Sequence, residues 1–155
     1  MDGCCETWRR DSCCERYGDP HYIFFNSIPY DFLEDCTYIL VEEQSPRHHQ
    51  TIVVDNFCIL GLKGSCVKDV TVKYQNTAKL SINYFAVAIE ATLNNETVQP
   101  PYEKDGMRFE TTSYEVFIYL PEICSSVSLS PSFFLVVNFA MEHFVNNTQG
   151  QCGMF

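Results

Sequence analysis

Positive charge is scarce in this chain: 10 Lys and Arg stand against 20 Asp and Glu, a formal net charge of −10 over 155 residues. A surface this acidic repels phosphate backbones and anionic headgroups, so no nucleic-acid partner is expected. Long apolar runs are missing as well. The most apolar stretch, SFFLVVNFAMEHFV at 132–145, is interrupted by Asn138, Glu142 and His143. It falls short of the roughly 18 uncharged residues that a spanning helix needs, so it reads as core strand and no membrane insertion is expected. There is no G-x-S-x-G elbow and no glycine loop of the phosphate-cradling kind, which removes the usual supports for a turnover enzyme. The opening MDGCCETWRRDSCC has neither a short apolar core nor a small-residue cleavage site, so it is not a secretory leader.

Cysteine, by contrast, is abundant. Nine cysteines accompany two N-x-T acceptor sites, Asn95-Glu96-Thr97 and Asn146-Asn147-Thr148. Oxidised cysteines and N-glycans belong to the same compartment, so the chain is expected to be secreted and extracellular, a piece of a larger secreted protein. An odd cysteine count leaves at least one thiol to pair outside the chain, with another extracellular glycoprotein or a further copy. The vicinal pairs Cys4-Cys5 and Cys13-Cys14 lack the C-x2-C spacing of structural zinc and read as disulfide formers.

Residues 1–17 are polar, cysteine-dense and without periodicity, and read as the cysteine-rich end of a preceding module. From residue 18 to 155 one domain is expected. YILVEE, TIVVDNF, VTVKY, KLSINY, FAVAIEATL, YEVFIYL, SVSLS and FFLVVNF are short runs rich in Val, Ile, Phe, Tyr and Thr, several of them alternating apolar with polar. Val70, Val72 and Tyr74 should share one face, and Leu80, Ile82 and Tyr84 repeat the arrangement. NNE at 94–96, KDG at 104–106, TTS at 111–113 and Pro100-Pro101 supply the turns. The expectation is an all-β, antiparallel sandwich, with Asn95 at a hairpin tip. His48-His49 reads as exposed loop, and the carboxylates of LEDC and VEEQ as solvated surface.

One tetrapeptide admits two readings. In Gly18-Asp19-Pro20-His21 the proline sets a bend and pushes Asp19 into an extended conformation. The same residues also suit self-cleavage. The Asp19 carboxyl attacks its own carbonyl to form a five-membered anhydride, and the basic Pro20 nitrogen leaves with a proton supplied by His21. Mild acid should accelerate that step.

Together, C-x3-GDPHY-x2-F from Cys14 to Phe25, CTYILVEE from Cys36, VDNFC followed by Cys66, PPYEKDG, VFIYLPEI and the closing FVNNTQGQCGMF resemble a von Willebrand factor type D domain over residues 14–155. The combination of CTYILVEE with NNTQGQCG looks like the D domains of gel-forming mucins and similar secreted glycoproteins. The resemblance implies a non-catalytic structural domain supporting disulfide-linked assembly in mucus or extracellular matrix, or, as the alternative, an adhesive domain like those of zonadhesin-like or immunoglobulin-binding proteins. Some relatives cleave themselves at this Asp-Pro bond. By family position Cys14 pairs with Cys152 and Cys58 with Cys66. Cys36 matches a cysteine whose usual partner lies beyond Phe155, so the domain is expected to be truncated at its C-terminal end. Cys124 stands where relatives have glycine, and Cys36–Cys124 pairing or a free thiol are the alternatives for it. Cys4, Cys5 and Cys13 stay unassigned. Calcium is implied for the full-length domain, with Asn26 as a ligand where the familiar pattern has Asp, and without the later ligands. The family's C-G-x-C dithiol reads Cys152-Gly153-Met154-Phe155, without its second thiol.

Overall fold

The computed structural model describes residues 12–17, 21–23, 29–31, 37–57, 66–83, 86–132, 134–139, 144 and 147–149, with backbone alone at 12–17, 21–23, 29–31, 37–38, 56–57 and 66–67. Among them, fifteen strands form two antiparallel sheets. The first runs β10 (Tyr102–Lys104), β11 (Met107–Thr111), β12 (Val116–Leu120), β13 (Ser125–Leu129), β14 (Leu135–Phe139), β1 (Ser12–Tyr17), β2 (His21–Ile23), β3 (Pro29–Asp31). The second runs β15 (Thr148–Gln149), β4 (Thr37–Glu43), β5 (Thr51–Phe57), β6 (Cys66–Tyr74), β7 (Asn76–Asn83), β8 (Ala88–Leu93), β9 (Glu96–Val98). The all-β expectation holds. Residues 12–17, which the sequence grouped with a preceding module, are hydrogen-bonded into the first sheet between β14 and β2.

Period-two patterning builds the core. In β12 and β14 buried and half-buried residues alternate strictly, and β7 does the same from Ala78 onward. Side chains on one pleat face then meet the opposite sheet. Val70, Val72, Leu80, Ile52 and Val54 pack with Phe109, Ile118, Leu129 and Val137 in one cluster. Each such side chain withdrawn from water stabilises the fold by about 1.5–3 kcal/mol before entropy is counted. β13 breaks the alternation, since all five of its residues are buried. Its outward serines lie between larger cross-strand neighbours, Ser126 between Tyr119 and Asn138 and Ser128 between Phe117 and Val136. The Phe117 and Tyr119 rings stack 5.8 Å apart on that outer face.

Turn chemistry follows backbone need. Gly106 takes φ +80 between β10 and β11, and Asn94 and Asn95 take φ 50 and 69 between β8 and β9, the pair of positive angles that a two-residue hairpin requires. The Pro100-Pro101 bond is cis and lies where the chain leaves the second sheet for the first.

The sandwich has two chemically different ends. Across the sheets, Gln50 Nε2 donates to Ser125 Oγ at 2.8 Å and the Tyr74 hydroxyl to Glu122 Oε2 at 2.8 Å. These bonds place the loop 44–50, Tyr74, and the connection from Pro121 to Ser125 at one end. The β8 start and the loop 112–115 lie at the other, around a shallow depression of about 210 Å³ lined by Val87, Ile89, Thr111, Tyr114, Val116 and Pro131.

Candidate functional site

At the first end a carboxylate that the sequence left in solvent is enclosed. Glu43 is 6% exposed. Its Oε1 accepts the backbone N–H of Arg47 (3.2 Å) and of His48 (2.9 Å), and Oε2 that of Gln50 (3.1 Å). Burial is tolerable because the charge receives charge-assisted bonds from donors that would otherwise lack partners. The loop QSPRHHQ folds around its own last strand residue, with His49 at φ 57 to complete the wrap. Correcting a second expectation, His48 is half-buried, its ring 5.3 Å from that of Phe144, which in turn stacks on Phe139 at 4.3 Å.

The same loop is tied to a distant segment through Asn147. The Ser45 N–H donates to Asn147 Oδ1 at 2.8 Å, Asn147 Nδ2 donates to the Ser45 carbonyl at 2.9 Å, and the Gln44 N–H reaches the Asn147 carbonyl at 3.0 Å. Gln44 Nε2 adds a bond to the Thr148 carbonyl, and Gln149 Nε2 one to Glu42 Oε1. One asparagine thus serves as a backbone surrogate, presenting donor and acceptor to a single residue as a strand neighbour would. Burial, followed by the bond to Glu122, pushes the Tyr74 phenol up to about 12. Gln50 Oε1 is buried with no hydrogen-bond partner among the described residues.

At the other end the polar pattern loosens. Asp69 sits opposite Asp55 across β5 and β6, with Lys79 Nζ at 3.4 Å and Lys68 Nζ 3.8 Å from Asp55. Burial raises the Asp69 carboxyl above its ordinary value, and the Lys79 charge only partly offsets it. Val87, 70% exposed, takes φ 50. That left-handed backbone crowds a β-branched side chain.

The residues singled out from sequence distribute as follows. Asp19, Pro20, Asn26, Cys4, Cys5, Cys36, Cys58, Asn146 and Cys152 lie outside the described residues. Their neighbours constrain several of them. Tyr17 pairs with His21, so Gly18-Asp19-Pro20 is a three-residue connection between β1 and β2; the register partner of His21 on β3 is Asp31. Cys13 and Cys14 pair in backbone register with Asn138 and Val137. Phe57, the residue before Cys58 in sequence, is the register partner of Cys66. Asn95 stands exposed at its hairpin tip, whereas Asn147 and Thr148, inside the other acceptor site, are 8% and 0% exposed. Cys124 is fully buried at φ 47 and is disulfide-bonded in the structure. Among the described residues no group of three or more His, Cys, Asp or Glu is arranged to hold a metal ion, and no helix is long and apolar enough to cross a membrane. The enclosed Glu43 was missed because VEEQ reads as surface. The usable signal was the run of loop amides in QSPRHHQ, which need an acceptor.

Two antiparallel sheets over one apolar core, closed at one end by buried polar bonds, define an all-β sandwich domain. A family model takes the assignment further, matching residues 14–155 as "von Willebrand factor type D domain". The chain belongs to that family. Human Mucin-2 is 33% identical over 156 aligned residues, covering 98% of this chain and 3% of that protein. Human Mucin-5AC is 33% identical over 99% of this chain and 3% of its own length, and SCO-spondin of Gallus gallus 33% over 63% of this chain and 2% of its own. The chain thus spans about 3% of the length of the human mucins it matches.

Proposed function

We propose that this domain is a non-catalytic structural module of a secreted, mucin-like glycoprotein, joined through disulfides to other extracellular glycoproteins or further copies of itself. The observation that carries the reading is family membership with mucins among the relatives, combined with nine cysteines in the chain. An odd number cannot all pair internally. The cysteine pairs Cys14–Cys152 and Cys58–Cys66 belong to this reading, the second supported by the Phe57–Cys66 register. Asn95, exposed at a hairpin tip, is the favoured glycan carrier, and calcium remains a ligand proposed for the full-length domain. The test is secretion of the chain behind an added leader from eukaryotic cells, followed by non-reducing and reducing electrophoresis. A covalent dimer or mixed disulfide that collapses on reduction is expected. A secreted monomer with its odd thiol free overturns the assembly role.

A second reading is favoured by the tight connection between Tyr17 and His21. It is slow self-cleavage between Asp19 and Pro20, with Asp19 as nucleophile and His21 as proton donor. The register pair Tyr17–His21 sets side by side the two strand ends that flank Gly18-Asp19-Pro20, and this supports the reading. Asp19→Asn should stay whole where the parent is cut under mild acid, and equal cutting of both would sink the idea.

A further inference from the structure

Among the described residues the two sheets end in four edge strands, and their sequences differ. β3 and β10 bound the first sheet, β15 and β9 the second. An edge strand presents unpaired N–H and C=O groups to any strand that approaches, and is ordinarily blunted by proline, by charge or by shortness. β3 begins with Pro29 and ends with Asp31, and β15 is two residues long. β10 holds Glu103 and Lys104. β9 reads Glu96-Thr97-Val98, with neither proline nor lysine.

Register decides which of its main-chain groups face outward. Leu93 pairs with Glu96 across the two-residue turn Asn94-Asn95, so these two residues exchange both of their bonds. The one charged residue of β9 therefore spends its main-chain groups on β8. The alternation of an antiparallel ladder then leaves Thr97, opposite Thr92, with its N–H and C=O turned away from β8. The same alternation in the next hairpin, closed by Lys104 and Met107, turns Glu103 outward on β10. One edge thus has a charged residue at its outward position, and the other a neutral threonine that favours strand. Glu96, Thr97 and Gln99 are exposed, and among the described residues no strand pairs with the far side of β9.

The turn before β9 divides its work between two asparagines. Asn94 Oδ1 accepts the Thr77 N–H at 3.0 Å, and Asn94 Nδ2 donates to Asn76 Oδ1 at 3.0 Å, so this side chain holds the turn against β7. Asn95, exposed at φ 69, has no side-chain hydrogen bond among the described residues. It is the sugar-bearing position of the triplet Asn95-Glu96-Thr97, whose threonine is the residue with the outward main chain.

We propose, on the reading that Asn95 carries a glycan, that the sugar guards this edge and keeps β9 of one copy from pairing with β9 of a second copy. A bulky, hydrated sugar rooted two residues before Thr97 occupies the space that an approaching strand needs. It does on β9 what charge does on β10 and proline on β3. Without it, two second sheets join edge to edge about a twofold axis at Thr97, each threonine exchanging both main-chain bonds with its counterpart.

Four forms of the chain, secreted behind an added leader from eukaryotic cells, test this: the parent, Asn95→Gln, Thr97→Ala and Thr97→Lys. Every variant abolishes the acceptor triplet, and only Thr97→Lys puts a charge at the outward position. Glycopeptide mass analysis of the parent reads occupancy of Asn95. Sedimentation velocity, on fractions of equal covalent size with free thiols alkylated, reads association. Asn95→Gln and Thr97→Ala should double in apparent mass as concentration rises, while the parent and Thr97→Lys keep one size. Thr97→Lys also lacks the sugar, so it separates edge pairing from poor folding. A parent with Asn95 bare overturns the glycan reading and the guard with it. An occupied Asn95 with Asn95→Gln as monodisperse as the parent overturns the guard alone, and so does a Thr97→Lys variant that associates as Asn95→Gln does.

Discussion

The two ends of the sandwich solve the same problem with opposite chemistry. At one end the loop 44–50 and the segment 147–149 hold each other through Glu43 and Asn147, and both sheets are bridged by Gln50–Ser125 and Tyr74–Glu122. At the other end the chain turns at a strained, exposed Val87 beside Tyr114, which is 53% exposed, and places Asp55 opposite Asp69. Backbone amides need partners wherever a chain reverses. A polar side chain supplies them at the first end. The second end uses a backbone conformation that valine rarely adopts, so substitutions should be costly at the first end and neutral or helpful at the second.

The largest effect expected is from Glu43→Ala, which strips the acceptor from three loop amides and should cost about 3 kcal/mol, read as a lower urea midpoint. A loss below about 1 kcal/mol would mean that water replaces the carboxylate, and the contrast between ends would fail. Asn147→Ala should follow at about 2 kcal/mol, because two of its bonds serve Ser45 alone. Tyr74→Phe should cost about 1 kcal/mol at neutral pH. Its pH dependence sharpens the assignment. The folded phenol titrates near 12 against an ordinary 10.0, so the neutral form is favoured by folding. That contribution is complete below pH 10 and disappears as pH rises toward 12 in the parent, while the Phe variant lacks this loss.

At the opposite end the signs reverse. Val87→Gly should stabilise by about 0.5–1 kcal/mol, since glycine takes φ 50 freely and little apolar contact is lost at a 70% exposed site. Asp69→Asn should add a few tenths of a kcal/mol at neutral pH, detectable as a small rise in melting temperature. The folded carboxyl is raised above 3.8, so its neutral form is the favoured one. The parent's disadvantage is absent below pH 3.8 and develops as pH rises through the folded value, and the variant's gain should follow the same course.

Much of the second sheet was legible. TIVVDNF is β5 residue for residue, and NNE and KDG turn where Asn94, Asn95 and Gly106 carry positive φ. What escaped has physical causes. β1 reads SCCERY, with no apolar alternation, because its partners on β14 and β2 come from distant and short segments. FAVAIEATL looks like one strand, yet its first residues turn at Val87 without glycine or asparagine to announce it. Glu43 differs from its neighbour Glu42 only in tertiary surroundings, which no window of sequence contains. The family was readable because its motifs are spaced along the chain in order, whereas a disulfide at Cys124 depends on which strand end lies beside which.

The pairing of β1 with β14 and of β4 with β15 bears on how the domain is made. A chain emerging from the ribosome can zip β4 to β9 as successive hairpins, each needing only local closure. The second edge of β1, and the bonds from the loop after Glu43 to Asn147, are completed only once residues 135–149 have been synthesised. During that interval the edge of β1 that later takes β14 and the edge of β4 that later takes β15 stand open. Completion of the last strands is then the event that closes both edges and, with them, the fold.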